Sequence, residues 1–224
     1  MAESQDYRRR LGKLDTCIVS DALDKLGLTG VAPGLQRLST NTRVIGAVLT
    51  VRLEEAGGRL AERHLCTAAI EAAHPGEVIV VEHRSRSDCA GWGGILSRAA
   101  GMKKIAGVIV DGICRDIDES RELGFPVFGR GVLPTTARGR VIETAFNAPV
   151  NIGPITVRPG DWVIADGSGV VFIAAENLNA VVEQAEKLAQ REAQLVADIE
   201  SGTSVSQVMS RTYENMTQKE SGRE

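Results

Sequence analysis

The chain has 224 residues, 43% hydrophobic and 25% charged, with a formal net charge of −3. That length and apolar fraction suit one domain with a sizeable core and exclude a disordered chain, and the slightly acidic balance leaves no basic footprint for nucleic acid. No apolar run approaches the roughly 20 residues that span a bilayer, and the arginines of the N-terminal MAESQDYRRR lead into no apolar stretch of the signal-peptide kind.

In chain order, Asp15 to Leu26 predicts a helix stopped by Gly27, Arg43 to Arg52 a strand, and Arg59 to Ala73 a second helix stopped by Pro75-Gly76. Glu77 to Glu82 is a β-branched run and predicts a strand. Residues 83–92 read as a polar, glycine-containing loop. Gly93 to Ala100 predicts a helix stopped by Gly101, and Ile105 to Val110 an apolar strand broken by Asp111-Gly112. Strand, helix, strand in this order is a βαβ unit with parallel strands. Loops 83–94 and 111–116 then share one sheet edge, where open α/β sheets bind ligands. From Pro126 to Ala174 the chain is β-rich, with short runs at Val127-Phe128, Val150 to Val157, Trp162 to Ala165 and Val170 to Ala174. Asn177 to Glu200 predicts a long helix, followed by a polar tail. The expected organisation is α/β over residues 1–175 with a helical segment and tail, 176–224, belonging to the same domain.

Cys17, Cys66, Cys89 and Cys114 lie far apart without a CxxC pair, the pattern of a reducing, cytoplasmic setting. His64, His74 and His83 fit no short metal motif, so a metal would rest on carboxylates.

Three places could carry chemistry. Gly91-Trp92-Gly93-Gly94 opens a helix, so the main-chain N–H groups of Gly93, Gly94, Ile95 and Leu96 could hold an anion; a bare tight turn explains the glycines equally well. Asp111-Gly-Ile-Cys-Arg115-Asp116-Ile-Asp118-Glu119 places one arginine before three acids. Helix capping explains the acids but leaves Arg115 without a role, whereas a site for a hard metal and an enolate needs both. In the long helix, Leu178, Val181, Val182, Ala185, Leu188, Val196 and Ile199 form an apolar stripe that Glu192 interrupts. Glu192 is either a rim residue or a carboxylate buried at a subunit contact.

The run GWGGILSRAAGMKKIAGVIVDGICRDIDESRELGFPVFGRG resembles the regulator of ribonuclease activity A (RraA) family, which also contains the class II 4-hydroxy-4-methyl-2-oxoglutarate/4-carboxy-4-hydroxy-2-oxoadipate aldolases. The likeness runs from Asp15-Thr16 and Ser20-Asp21-Ala22-Leu23 to Pro159-Gly160-Asp161-Trp162 and Gly169-Val170-Val171. Its most specific element is Gly94, then Arg115, Asp116 and Glu119. The resemblance implies a swivelling β/β/α fold, a homotrimer or a hexamer built as a dimer of trimers, and active sites between subunits. It implies Mg²⁺ or Mn²⁺ bound by Asp116, with Glu119 and a neighbouring subunit's acid, for which Glu192 is the candidate, acting through water. Arg115 would meet the keto oxygen, and the amides near Gly94, Ile95 and Leu96 the carboxylate of a small 2-keto acid. The expected activity is a metal-dependent lyase that forms pyruvate enolate by aldol cleavage or by decarboxylation of oxaloacetate. The alternatives are a non-catalytic, protein-binding regulator of ribonuclease activity, or a lyase for a different keto acid. Two departures stand out: the well-characterised aldolases carry an aspartate at the position of Gly94, and many relatives an acid at that of Ser168. No glycine-rich nucleotide loop followed by a ribose-binding acid is present, which argues against a methyltransferase.

Overall fold

The computed structural model describes residues 2–209. In chain order the elements are α1 (Ala2–Leu11), α2 (Thr16–Leu26), β1 (Gln36–Arg37), β2 (Val44–Glu55), α3 (Thr67–Ala72), β3 (Val78–Trp92), α4 (Gly94–Met102), β4 (Gly107–Cys114), α5 (Ile117–Glu122), β5 (Val127–Gly129), β6 (Gly131–Val132), β7 (Val141–Phe146), β8 (Val150–Ile152), β9 (Ile155–Val157), β10 (Trp162–Ala165), β11 (Val170–Ile173), α6 (Leu178–Glu200) and α7 (Val205–Val208). The main sheet has the order β1-β5-β4-β3-β2-β10-β11, with β6 on β4 and β7 on β2, while β8 and β9 form a separate hairpin. Strands β2, β3, β4 and β5 run parallel, the β3–β4 pair as the βαβ pattern predicts, and β10 and β11 close the far side antiparallel.

Period-2 alternation along the central strands feeds two cores. Ile79, Val81, Val108 and Val110 face α3 and α4 and pack with Trp92 and Phe125. Val78, Val80 and Ile109 face the other way, against Phe128 and the β8–β9 hairpin. A third cluster joins α1, α2 and α6 to β10 and β11 through Trp162, Ile164, Val171 and Ile173. Helix α2 has the ends its sequence predicts: Asp15 Oδ1 accepts from Ile18 N–H at 2.9 Å, and Gly27 closes the helix at φ 66°.

Four expectations need correction. The helix predicted over Arg59 to Ala73 exists only as α3, because Cys66 sits at φ 64° and its N–H goes to Glu143 Oε2 at 2.7 Å rather than into a helix. Arg59 to Leu65 is instead a loop, preceded by Gly57 and Gly58 at positive φ. Residues 83–92 are strand, not loop: β3 continues to Trp92 through register shifts that absorb Arg84 and Ser85 at φ 52° and 53°. Asp111-Gly112 does not break β4, since the buried Asp111 accepts from Arg130 Nε at 2.6 Å and from the Ser85 hydroxyl at 3.3 Å within the sheet. On α6 the buried stripe ends at Leu188, while Val196, Ile199 and Glu192 are exposed in the chain. The polar tail beyond residue 209 lies outside the described residues. Among those residues no helix is long and apolar enough to cross a membrane.

Candidate active site

The C-terminal ends of β3 and β4 bring the two predicted loops together. Gly93, extended at φ −155°, ends β3 and starts α4, while Arg115 and Asp116 link β4 to α5. Arg115 N–H donates to Trp92 C=O at 3.0 Å, which ties the two turns at the backbone. Between them lies a solvent-open cleft lined by Gly93, Gly94, Ile95, Leu96, Arg115 and Asp116. The residues predicted to bind substrate, Gly93 to Leu96, and those predicted to act on it, Arg115 and Asp116, therefore line one cleft.

Asp116 occupies the position before the first turn of α5, yet its side chain does not cap that helix. It adopts the left-handed conformation, φ 55° and ψ 39°, a strained choice for a non-glycine residue. Its Oδ2 accepts from Gly94 N–H at 3.0 Å and lies 3.3 Å from Arg115 Nε. Its Oδ1 has no hydrogen-bond partner among the described residues. A buried polar chain braces the corner: Trp92 Nε1–H donates to Ser97 Oγ at 2.9 Å, and Ser97 and Ser120 share a hydroxyl bond of 2.8 Å. Trp92 also stacks on Phe125 at 6.2 Å between ring centroids. Among the described residues no acid side chain caps α5; the exposed Asp118 of its first turn pairs with Arg121 at 2.7 Å instead.

Glu119 points back to the same corner and pairs with Arg98 at 3.0 Å. A Cβ placed on Gly94 would overlap Glu119 Oε2 outright and lie 2.6 Å from its Cδ. Glycine at 94 and glutamate at 119 are thus complementary, and an aspartate at 94 would compete for the same volume. Among the described residues no three His, Cys, Asp or Glu side chains gather as a metal cage. One free carboxylate oxygen on Asp116, with Glu119 nearby, matches a hard divalent cation that keeps several waters and fits neither zinc nor a calcium cage. Glu192 is not among the residues lining this cleft within one chain.

The opposite wall was not read from the sequence. It consists of His64 and Leu65 from the loop before α3, with Thr136, Ala137 and Arg138 from the loop before β7. The apolar spacing of residues 59–73 hid His64 inside a predicted helix, and nothing in Thr-Thr-Ala-Arg-Gly-Arg signals a site.

The fold is a mixed α/β domain whose cleft lies at the carboxyl ends of parallel strands. A family profile described as RraA-like (aldolase/RraA) matches residues 16–172, and the chain belongs to that family. A Halalkalibacterium halodurans protein provisionally named a 4-hydroxy-4-methyl-2-oxoglutarate aldolase is 33% identical over 182 residues, 81% of this chain and 83% of its own. Protein DlpA of Legionella pneumophila is 29% identical over 210 residues, 92% of this chain, but the chain spans only 34% of that longer protein. Streptomyces coelicolor RraAS2, described as an unusual member of the RNase ES inhibitor RraA family, superposes with a TM-score of 0.75 at 27% identity, covering 84% of this chain and 94% of its own.

Proposed function

We propose that the chain is a divalent-metal-dependent lyase of the cytoplasm that breaks a carbon–carbon bond in a small 2-keto acid through pyruvate enolate. The observation that carries this reading is the conformation of Asp116: a carboxylate held in left-handed backbone, turned from its own helix and set beside Arg115 at the mouth of an open helix turn. A structural cap would need none of this. The aldolase name of the Halalkalibacterium relative supports the same class.

Gly94 N–H is held by Asp116, so the next N–H groups of the first turn of α4, those of Ile95 and Leu96, receive the substrate's C1 carboxylate. In aldol cleavage the C4 hydroxyl gives up its proton and becomes the carbonyl of the released fragment as the C3–C4 bond breaks. That bond's electron pair forms the C2–C3 double bond, charge collects on the C2 oxygen, and a proton taken up at C3 from water completes pyruvate. The planar Arg115 guanidinium meets that oxygen. Loss of carbon dioxide from oxaloacetate places charge on the same atom, so one site serves both reactions. Mg²⁺ or Mn²⁺ held by Asp116, with Glu119 and a neighbouring subunit's Glu192 supporting through water, would add Lewis-acid stabilisation of that charge. The working form in this reading is a homotrimer or a dimer of trimers.

The test is pyruvate release from oxaloacetate and from 4-hydroxy-4-methyl-2-oxoglutarate, with Mg²⁺ or with EDTA. Turnover that EDTA removes and that Arg115→Ala lowers by about a hundredfold or more in kcat is expected. Silence on both substrates in a protein that still binds Mg²⁺ points to a different keto acid. Silence without metal binding overturns the lyase reading in favour of a ribonuclease regulator.

A further inference from the structure

We propose that Arg138, with His64 beside it, determines specificity by receiving the distal carboxylate of a dicarboxylic 2-keto acid. The inference rests on the lyase reading above and adds the residues that choose among its substrates. Arg138 and His64 line the same cleft as Arg115 and Asp116, and with Leu65 and Ala137 they also line an adjoining hollow that Arg115 and Asp116 do not reach. The Arg138 guanidinium and the His64 ring have no hydrogen-bond or ion-pair partner among the described residues. Other arginines around the cleft are engaged: Arg63 with Glu143, Arg98 with Glu119 and Arg140 with Thr136 C=O.

The backbone carrying each group is fixed, although the side chains are exposed. On the Arg138 side, Thr135 C=O accepts from Ala90 N–H of β3 at 3.0 Å, and Leu133 N–H donates to Cys114 C=O of β4 at 3.0 Å. Arg138 N–H donates to Thr136 Oγ1 at 3.2 Å, and Val141 N–H closes the turn on Ala137 C=O at 3.0 Å. On the His64 side, the buried Glu143 of β7 accepts from Cys66 N–H, and its Oε1 lies 2.7 Å from Arg63, outside hydrogen-bond geometry, as a purely electrostatic contact. Both walls thus hang on β7 and its neighbours, which sets them against the ends of β3 and β4.

Charge argues in the same direction. Arg115 and Arg138 face the single carboxylate of Asp116 among the cleft-lining residues. One cation suffices for the C2 oxygen, and the helix turn serves the C1 carboxylate. The second cation, on the far wall, matches a second negative group at the far end of the substrate. A monocarboxylic keto acid would leave Arg138 unpaired.

The experiment measures binding to the Mg²⁺-loaded protein by titration calorimetry, using oxalate, which mimics the enolate end and has no distal group, and 2-oxoglutarate, which carries one. It is run on wild type, Arg138→Ala, Arg138→Lys and His64→Ala. We expect 2-oxoglutarate to weaken at least about tenfold in Arg138→Ala, with partial rescue by lysine and a smaller loss in His64→Ala, while oxalate affinity stays within about twofold. Turnover should follow the same split: KM for oxaloacetate rises in Arg138→Ala more than kcat falls. Unchanged 2-oxoglutarate binding in Arg138→Ala, or an equal loss for oxalate, overturns the assignment while leaving the enolate site standing. A wild-type protein that binds neither ligand overturns both.

Discussion

Asp116, Gly94 and Glu119 form one unit, and each residue makes sense only beside the other two. The left-handed backbone of Asp116 costs about 1 kcal/mol or more, and the Gly94 N–H, Arg115 and the Trp92–Ser97–Ser120 chain hold it there. Gly94 leaves room for the carboxyl end of Glu119. Because that end is the tip of a flexible side chain, Gly94→Asp should fold, displacing Glu119 from Arg98 and lowering stability by about 1–2 kcal/mol in urea unfolding. In a Glu119→Ala background the same substitution should cost about 1 kcal/mol less, a coupling that a double-mutant cycle reads directly. Additive losses would show that the two side chains do not compete for the space.

Strands β3 and β4 carry the site, and their irregular upper halves are where sequence and structure diverge most. His83 is buried there at 1% exposure. Its Nε2–H donates to Cys89 C=O at 2.8 Å, and Gly112 has no side chain because His83 Cδ2 would lie 2.5 Å from a Cβ. Burial holds the His83 ring below its ordinary pKa, against the pull of the Cys89 carbonyl and with help from Arg86. The unfolded chain therefore takes up the proton first: the stability His83 contributes is full above the ordinary value of about 6.5 and declines as the pH falls towards the lowered folded value. Urea midpoints measured from pH 8 to 5 should fall more steeply for wild type than for His83→Gln, and parallel curves would refute this. The legible elements were those with local signals, such as the Asp15 cap and Gly27 stop of α2 and the apolar runs of the βαβ unit, whose geometry also delivered Gly93, Gly94, Arg115 and Asp116 to one cleft. Arg59 to Leu65 was illegible because the group that ends the helical reading, Glu143, lies 77 residues beyond Cys66. Residues 83–92 were illegible because their polar side chains conceal backbone pairing that β4 and Thr135, distant in sequence, supply. The wall of His64 and Arg138 was missed for the same reason, since β7 reaches it by pairing with β2 across the sheet.

The molecule divides its tasks between the two faces of its sheet and the helices at its far side. The core under α3 and α4 supports the cleft, while α1, α2 and α6 pack on β10 and β11 around a separate cluster. Helix α6 is 23 residues and so about 34 Å long, and its buried face stops at Leu188. The remaining turns carry Val196 and Ile199 at 48% and 39% exposure, with Glu192 among them. An amphipathic helix that outruns its own core has apolar surface left for another chain. On the proposed reading that chain is a second copy, and Glu192 serves its cleft. Arg115→Ala and Glu192→Ala should then each be nearly inactive alone, because every site lacks one of its two groups. Unfolded together and refolded as a mixture, the two variants should recover about a quarter of wild-type activity. In a closed ring with random assortment, each site draws an intact Arg115 from one chain with probability one half and an intact Glu192 from the next with the same probability. A mixture no more active than the mean of the two variants, each refolded alone, would confine the site to a single chain. Full activity in Glu192→Ala would remove that residue from the site.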